Sequence, residues 1–341
     1  MKELSNSLPQ VSLFFRKPQA GNISIERLFH YIIEELPPDF SYKVFNSTYT
    51  SRGLFRRLFN SIEAFFRRND VNHITGDVHF LTYFLPKRNT ILTIHDCASF
   101  ERLSGIKKAV FYFFWFWIPL RRVSIITVIS ESTKKEVLRH TGINERKIRV
   151  VLDCISKEFK PVPKTFNSDF PIILQVGTGN NKNILNVAKA LTGIKCHLRV
   201  IGRLSESQIS QLVTCNINYS NDYNLSDDDI INEYIQCDAL IFVSTYEGFG
   251  MPILEANATG RPVITSNILS MPEVAGNAAC MVDPYDFIDI RNGLLKVINN
   301  ESYRATLIAN GYVNVTRFNP TTIAKQYHEI YKEIYFKNSK L

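Results

Sequence analysis

The sequence has 341 residues, of which 45% are hydrophobic and 21% are charged, and its formal net charge is +8. This composition excludes a disordered or fibrous chain, and the length exceeds the size at which one hydrophobic core stops growing, so we expect two domains. The charge is uneven, because residues 1–165 hold 26 Lys and Arg against 15 Asp and Glu, whereas residues 166–341 hold 14 against 17. An anionic partner is therefore expected to meet the N-terminal half.

Short β-branched runs alternate with amphipathic stretches along the chain. The first half contains predicted strands at 11–15, 42–45, 91–96, 125–130 and 148–153. The rhythm starts again with predicted strands at 172–179, 197–202, 239–245, 262–266 and 279–283, and a closing helix is predicted at 321–335. This alternation is typical of parallel sheets covered by helices on both faces.

A polar segment with three prolines, residues 160–171, separates the two series and predicts a linker. The predicted fold class is α/β, with two doubly wound, Rossmann-like domains at 1–165 and 166–320. The C-terminal helix at about 321–341 is an element that can pack back on the first domain. Ligands of such sheets bind at the carboxyl ends of the strands, where the strand order reverses, so the predicted site lies between the two domains.

Two acids in the stretch "STYEGFGMPILEA" (244–256) are the strongest candidates for a site. Glu247 lies in the turn after a predicted strand, and Glu255 lies one turn into a helix that ends at Gly260. A first-turn acid gains about 0.3–1 kcal/mol from the helix dipole without any ligand, so a structural role is an open alternative. In the functional interpretation, a ligand contacts the backbone amides at the helix start, those of Gly248, Phe249, Gly250 and Met251.

Several ordered blocks around these acids resemble one family. Residues 237–286 contain the acid pair, the "GFG" turn, "GRPVI", "PEVAGNAA" and "VDP", and they are similar to the signature region of the retaining GT-B glycosyltransferases of family 4. "LTIHD" (92–96) and residues 127–153 resemble N-terminal landmarks of the same family. The resemblance covers most of residues 90–290 and implies two Rossmann-like domains that face each other across a cleft, the first binding the acceptor and the second the nucleotide sugar.

The resemblance assigns roles to residues of the second domain. It implies that Glu255 accepts hydrogen bonds from the ribose hydroxyls and that Glu247 lies beside the transferred sugar as an electrostatic and positioning residue. Lys182 matches the cation that holds the diphosphate, and Thr178 adds a hydroxyl. The sequence departs from the family pattern because Asn181 and Thr178 stand where many members have arginines, and Arg203 is a possible substitute.

In the first domain, His95 and Asp96 follow a predicted strand. A strand-end pair of this kind is often structural, with the carboxylate fixing the imidazole tautomer. The resemblance instead implies that His95 reaches the transferred sugar, with Asp96 beside it. Gly21 and Asn22 match, more weakly, the position of the family's glycine-rich loop over the donor phosphates.

Three other patterns in the sequence bear on the class of function. "GTGNNK" (177–182) lacks the third glycine of a dinucleotide fingerprint and the following acid, which argues against a nicotinamide enzyme. "SDDD" (226–229) resembles a metal-binding Asp-x-Asp motif, but it fits a helix N-cap at Ser226 better. The histidines have no metal-ligand spacing, and we expect neither a metal nor a cofactor.

Two basic, aromatic segments, 52–69 and 107–122, combine apolar stripes with flanking cations. Such segments suit peripheral contact with an anionic membrane, whereas the alternative is a buried helix pair with solvated ends. Nucleic acid is not expected, because the cations flank apolar stripes and no nucleic-acid module is recognised. Residues 1–10 lack a secretion signal, no apolar run spans a bilayer and the six cysteines form no CxxC pair, so we expect a cytoplasmic protein, peripheral on the inner face of the membrane if these segments bind it.

The sequence therefore predicts a retaining, metal-independent glycosyltransferase. It would move a sugar from a nucleoside diphosphate donor, GDP-mannose as the first hypothesis, to a glycan or lipid-linked saccharide in cell-surface polysaccharide or lipopolysaccharide biosynthesis. Two alternatives remain open: an epimerase or phosphorylase on the same scaffold, and a non-catalytic partner that binds nucleotide or glycan.

Overall fold

The computed structural model describes residues 8–18, 24–98, 100 and 103–339. The chain divides into two compact units. The first unit comprises the chain up to Cys154 together with the segment from Pro320, and the second comprises Ile155–Asn319. The division therefore lies before the predicted boundary at 165. The polar segment 160–171 belongs to the second unit, where Lys164 Nζ lies 2.6 Å from the buried carboxylate of Asp238.

The described part of the first unit contains a six-stranded parallel sheet in the order β2-β1-β3-β4-β5-β6. The strand order reverses between β1 and β3, where Val11 is in register with Val71. The strands are β1 (Gln10–Phe15), β2 (Ser41–Asn46), β3 (Val71–Ile74), β4 (Thr90–Ile94), β5 (Ile125–Val128) and β6 (Ile148–Val150).

The second unit contains another six-stranded parallel sheet among its residues, in the order β12-β11-β10-β7-β8-β9. Here the order reverses between β7 and β10, which is the position at which doubly wound sheets bind ligands. The strands are β7 (Ile172–Val176), β8 (His197–Ile201), β9 (Tyr219–Asp222), β10 (Ala239–Phe242), β11 (Val263–Ser266) and β12 (Cys280–Val282).

Helices follow most strands and cover the sheets. Among the described residues of the first unit, the helices are α1 (Ser24–Glu34), α2 (Leu54–Phe66), α3 (Gly105–Tyr112), α4 (Ile118–Arg121), α5 (Glu131–Thr141) and α13 (Pro320–Ser339), with a π-helical segment at Phe113–Trp117. In the second unit they are α6 (Ile184–Leu191), α7 (Glu206–Thr214), α8 (Asp227–Gln236), α9 (Met251–Thr259), α10 (Met271–Ala275), α11 (Phe287–Asn299) and α12 (Glu301–Val315). No helix in the described ranges has the length and apolar character needed to cross a bilayer.

The closing helix α13 returns to the first unit. Its buried side chains Ile323, Tyr327 and Tyr331 pack in the same core as Leu13 of β1 and Phe29 of α1. The apolar residues repeat every three to four positions along α13, so they form one stripe on the helix. The predicted helix is confirmed. Through this stripe, the C-terminal segment contributes side chains to the core of the first unit.

The ten predicted strands are confirmed, and two further strands were not predicted. In β3 the sequence is VNHI, and its polar residues Asn72 and His73 are fully buried. Partners from elsewhere satisfy His73, since its imidazole lies 2.8 Å from Tyr331 Oη and 2.7 Å from Thr93 Oγ1. In β9 the sequence is YSND, a polar strand at the edge of the second sheet.

Candidate functional site

The turn between β10 and α9 carries Glu247 at the carboxyl edge of the second sheet. Gly250 has a φ of +126°, a conformation that residues with side chains rarely adopt. The Ser270 hydroxyl lies 2.6 Å from the carbonyl oxygen of Phe249 and 3.0 Å from that of Glu247, so it fixes the turn from the other side. The predicted strand, turn and helix are confirmed, and the backbone amides of residues 248–251 lie at the helix start.

Lys182 reaches this turn from the connection between β7 and α6. Its Nζ lies 2.6 Å from Glu247 Oε1 and 4.4 Å from the centroid of the Phe242 ring. The stem of Lys182 passes over Gly177, whose φ is +87°, and a Cβ at that glycine would lie 2.7 Å from Lys182 Cε. The structure thus joins, in one ion pair, the two residues that the resemblance assigns to the sugar and the diphosphate.

Asn181 also contacts Glu247. From the sequence alone, this residue had no role beyond standing where many family members have an arginine. Its Nδ2 donates to Glu247 Oε1 at 3.1 Å and to the carbonyl oxygen of Tyr246 at 2.9 Å. Its backbone carbonyl accepts from the amide of Thr245 at 2.8 Å. The connections that follow β7 and β10 are therefore tied together through this residue.

Glu255 lies in the second turn of α9 and is partly exposed. The phenol of Tyr234 donates a hydrogen bond of 2.5 Å to Glu255 Oε2. Burial, and then the Glu255 charge, raise the pKa of Tyr234 well above its ordinary value, so the phenol keeps its proton and remains a donor. One carboxylate oxygen of Glu255 is thereby fixed from inside the unit.

Thr178 and Arg203 follow the neighbouring strands β7 and β8. The Thr178 hydroxyl donates to the backbone carbonyl of Arg203 at 2.7 Å, so its proton is used within the protein. The guanidinium of Arg203 is exposed and stacks on the ring of Tyr223, 4.6 Å from the centroid. Both residues lie at the carboxyl edge of the sheet, and their contact with a diphosphate stays a prediction.

His95 and Asp96 directly follow β4 in the first unit. The imidazole Nε2 lies 2.8 Å from the carbonyl oxygen of Thr75, which accepts its proton and so fixes the tautomer. Asp96 instead accepts from the backbone amide of Ala98 at 2.9 Å. The structural alternative, in which the Asp96 carboxylate fixes the imidazole tautomer, is therefore wrong. The predicted phosphate loop, Gly21 and Asn22, lies outside the described residues.

Asp153 was not predicted as a site residue, and it lies at the carboxyl end of the first sheet beyond β6. It is 7% exposed, and burial raises the pKa of its carboxyl group to about 6, while the nearby His95 acts in the opposite direction. The sequence contained the same pattern for Asp153 as for Asp96, because each is an acid at the end of a predicted apolar strand.

The rejected metal motif has the predicted structural role. Ser226 caps α8, its hydroxyl accepting from the amide of Asp229, whose side chain accepts from the Ser226 amide in return. Within the described ranges, no three His, Cys, Asp or Glu side chains come together in an arrangement that could hold a metal ion.

Two helical segments of the first unit present apolar side chains to solvent. We call this surface the apolar face: Leu54, Phe55, Leu58, Phe59, Ile62 and Phe66 of α2, and Ile106, Val110, Phe113, Phe114 and Trp117 of residues 105–117. The side of α2 that faces the protein is formed by Asn60, Ser61 and Ala64. The Arg57 guanidinium, 5.0 Å from the centroid of the Trp115 ring, links the two segments. The alternative of a buried helix pair is therefore wrong for these side chains.

The two doubly wound sheets place the chain in the GT-B class of folds. The structure of Anabaena HepE in complex with UDP and glucose matches it with a TM-score of 0.75, over 95% of this chain and 100% of that chain, at 15% identity. The family model described as Glycosyltransferase Family 4 matches residues 11–158, and the model described as Glycosyl transferases group 1 matches residues 156–314. The chain belongs to this family, the group 1 glycosyltransferases of family 4.

Curated relatives of the chain carry mannosyltransferase names. The serotype-specific mannosyltransferase WbdA of Escherichia coli is 26% identical over 279 residues, which is 73% of this chain and 34% of WbdA. The O-antigen chain mannosyltransferase B of Escherichia coli is 36% identical over 106 residues, which is 31% of this chain and 28% of that protein. The matched region thus spans about a third or less of these relatives.

Proposed function

We propose that this protein transfers a hexosyl group, with retention of anomeric configuration, from a nucleoside diphosphate sugar to a glycan or lipid-linked saccharide. The observation that carries the proposal is the contact of Glu247 with Lys182 at the carboxyl edge of β7 and β10, with Glu255 on the adjoining helix. This edge is where a doubly wound sheet binds a nucleotide. The family membership supports a glycosyl transfer as the reaction and a sugar nucleotide as the ligand.

Each group at this edge has a task in the proposed reaction. Glu255 accepts hydrogen bonds from the two ribose hydroxyls, since a carboxylate has no donor of its own and takes two donors well. Glu247 lies beside the sugar and stabilises the positive charge that develops at the anomeric carbon. Lys182 and the amides of residues 248–251 neutralise the departing diphosphate. For His95, the resemblance implies a hydrogen bond to a hydroxyl of the transferred sugar, and this role stays a prediction.

The donor in this proposal is GDP-mannose, and the product belongs to cell-surface polysaccharide assembly. The mannosyltransferase names of WbdA and of the O-antigen chain enzyme support the sugar and the pathway class. The reaction needs no metal ion, because a lysine and a helix start supply positive charge for the diphosphate. Activity that survives EDTA, with an α-linked product from the α-linked donor by NMR, is the expected result.

The experiment that tests the site compares Glu247→Ala and Glu255→Ala with the wild type. A thermal-shift panel of GDP-, UDP-, ADP- and dTDP-sugars first identifies the donor, since a ligand at about 100 times its Kd adds about 2.7 kcal/mol to stability. We expect Glu255→Ala to weaken nucleotide binding and Glu247→Ala to lower kcat by about 100-fold or more. Full transfer by both variants would contradict the proposed site.

The same experiment separates the alternatives. An epimerase or phosphorylase converts its sugar nucleotide or sugar phosphate with no acceptor present, whereas the proposed enzyme needs an acceptor for transfer. A non-catalytic partner binds nucleotide, yet it neither transfers nor breaks down the donor. Donor-dependent transfer that is lost in Glu247→Ala excludes both.

The apolar face fits an anionic leaflet on the inner side of the cytoplasmic membrane as its partner. Exposed apolar surface of this extent is uncommon on a monomeric protein away from binding sites, and Phe55 and Ile106 are 86% and 83% exposed. The cations Arg52, Arg56, Arg67, Arg68 and Lys107 are exposed on the same segments. Apolar residues that enter the interface beside cations that approach lipid phosphates are typical of peripheral helices.

Vesicle sedimentation tests this partner. The double variant Phe55→Ser, Phe66→Ser is expected to lose binding to phosphatidylglycerol vesicles, whereas Val213→Ser, at a 65% exposed apolar position in the second unit, keeps it. Wild-type binding should also weaken as salt rises. The opposite result is a wild type that does not bind vesicles and that sediments as a dimer, with Phe55→Ser disrupting the dimer. The apolar face would then be a protein interface, and this proposal would be wrong.

A further inference from the structure

One carboxylate oxygen at the candidate site accepts from two different donors. Glu247 Oε1 lies 2.6 Å from Lys182 Nζ and 3.1 Å from Asn181 Nδ2. The two donors differ in charge and in freedom of movement. Lys182 is a cation on a flexible stem, whereas Asn181 is neutral and short.

The side-chain NH2 group of Asn181 has an acceptor for each of its two hydrogens. Its Nδ2 carries two hydrogens, and it lies within hydrogen-bond distance of two acceptors, Glu247 Oε1 and the carbonyl oxygen of Tyr246. Because both partners are acceptors, the NH2 group of the side chain must face them. An aspartate at this position would offer no donor to either oxygen.

The backbone of Asn181 is anchored independently of this side chain. Its carbonyl oxygen accepts from the amide of Thr245, and the turn Asn180–Lys182 closes with a bond from the Lys182 amide to the Gly179 carbonyl. Changing the side chain therefore leaves the local backbone bonds in place. Loss of function in such a variant reports on Glu247 and not on the turn.

The charges explain why a neutral second donor matters. A donor diphosphate offers Lys182 more negative charge than one carboxylate does, so the ammonium turns toward the phosphates when they bind. Glu247 then loses its charged partner when its orientation toward the sugar counts most. A positioning group that cannot be drawn to the diphosphate keeps the carboxylate in place.

We infer that Asn181 is a positioning residue that holds Glu247 in its catalytic orientation while Lys182 neutralises the diphosphate, and this inference rests on the proposed function. It assigns a role to the position where the family pattern has an arginine. The neutral amide keeps the carboxylate charge uncompensated by a second cation, and that charge is what the developing positive centre needs.

The test measures kcat, the donor KM and nucleoside diphosphate affinity for Asn181→Ala, Asn181→Asp and a matched control, Asn180→Ala. Asn180 is the adjacent, exposed residue of the same type. We expect Asn181→Ala to lower kcat by about 10- to 100-fold with donor KM and diphosphate affinity within about threefold of wild type, because misplacement by about 1 Å costs this much. Asn180→Ala should behave as wild type.

Asn181→Asp keeps the size of the side chain and replaces both donors with a charge that repels Glu247, so its kcat should fall at least as far. Wild-type kcat in either variant overturns the inference, as does a weaker donor affinity with unchanged kcat, which would place Asn181 on the donor. These outcomes are distinct from failure of the proposed function, in which the wild type itself transfers no sugar or Glu247→Ala stays fully active.

Discussion

Asp153 carries a carboxyl group into the interior of the first unit, close to His95. Burial, offset in part by the electrostatic interaction with His95, raises the pKa of this group from the ordinary 3.8 to about 6. The folded protein therefore keeps a proton that the unfolded chain releases between about pH 4 and pH 6. Stability falls as the pH rises through this range, and the loss persists above pH 6.

Replacing Asp153 with Asn should remove this pH dependence. We expect the variant to be more stable than the wild type by about 2–3 kcal/mol at pH 7.5, since each pKa unit corresponds to about 1.4 kcal/mol, and to match the wild type near pH 4. Urea unfolding at both pH values measures the difference. Equal free energies of unfolding for the two proteins at pH 7.5 would mean that burying the charged carboxylate does not destabilise the folded chain.

The connection between β7 and α6 requires glycine at position 177 for two reasons, the positive φ of its backbone and the closeness of a neighbouring side chain. Gly177 has a φ of +87°, and the Lys182 stem occupies the space that a Cβ would need. Gly193, after α6, has a similar φ of +73° with no heavy atom within 4 Å of an added Cβ. The pair separates backbone strain from displacement of the lysine.

Gly177→Ala and Gly193→Ala are expected to lose similar stability from strain, about 1–2 kcal/mol each. In Gly177→Ala the ammonium of Lys182 also moves from Glu247, so donor turnover should fall about 10-fold or more, whereas Gly193→Ala keeps its turnover. Thermal unfolding and steady-state kinetics on both variants provide the readout. Matching activities would indicate that Lys182 is not held by this turn.

At the scale of the whole chain, the last helix completes the first unit. Tyr327, Tyr331 and Ile323 of α13 are each at most 2% exposed and lie in the core built around β1 and α1. Burial of one such side chain is worth about 1.5–3 kcal/mol, so the three together approach the full stability of a domain. A domain boundary drawn as a single cut in the sequence therefore divides this unit incorrectly.

Truncation after Asn319 is expected to unfold the first unit and leave the second folded. Calorimetry should show the loss of one transition and the survival of another, and limited proteolysis should leave a fragment close to Ile155–Asn319. Truncation after Tyr335 is the control, because it keeps the buried stripe and removes the 54% exposed Phe336. Two intact transitions in the shorter chain would contradict the prediction.

Much of the fold could be predicted from the sequence. A parallel strand that is buried on both faces has a short apolar sequence, which can be recognised without the structure. This is why β10, with the sequence ALIF, was predicted and β3, with VNHI, was not. His73 is tolerated in β3 because Tyr331 and Thr93, distant in sequence, bond both of its nitrogens. The edge strand β9 pairs on one side with β8, so it needs little apolar character.

The sequence by itself determined the two α/β series and the family resemblance, because local spacing and composition carry that information, and the resemblance made Glu247, Glu255 and Lys182 the candidate site residues. Tertiary structure decided that Lys182 and Asn181 meet Glu247, that Thr75 and not Asp96 fixes His95, and that α2 turns its apolar side outward. The physical reason is that these contacts join residues brought together by strand order and packing, and a linear pattern specifies which residues are present but not which atoms of distant segments meet.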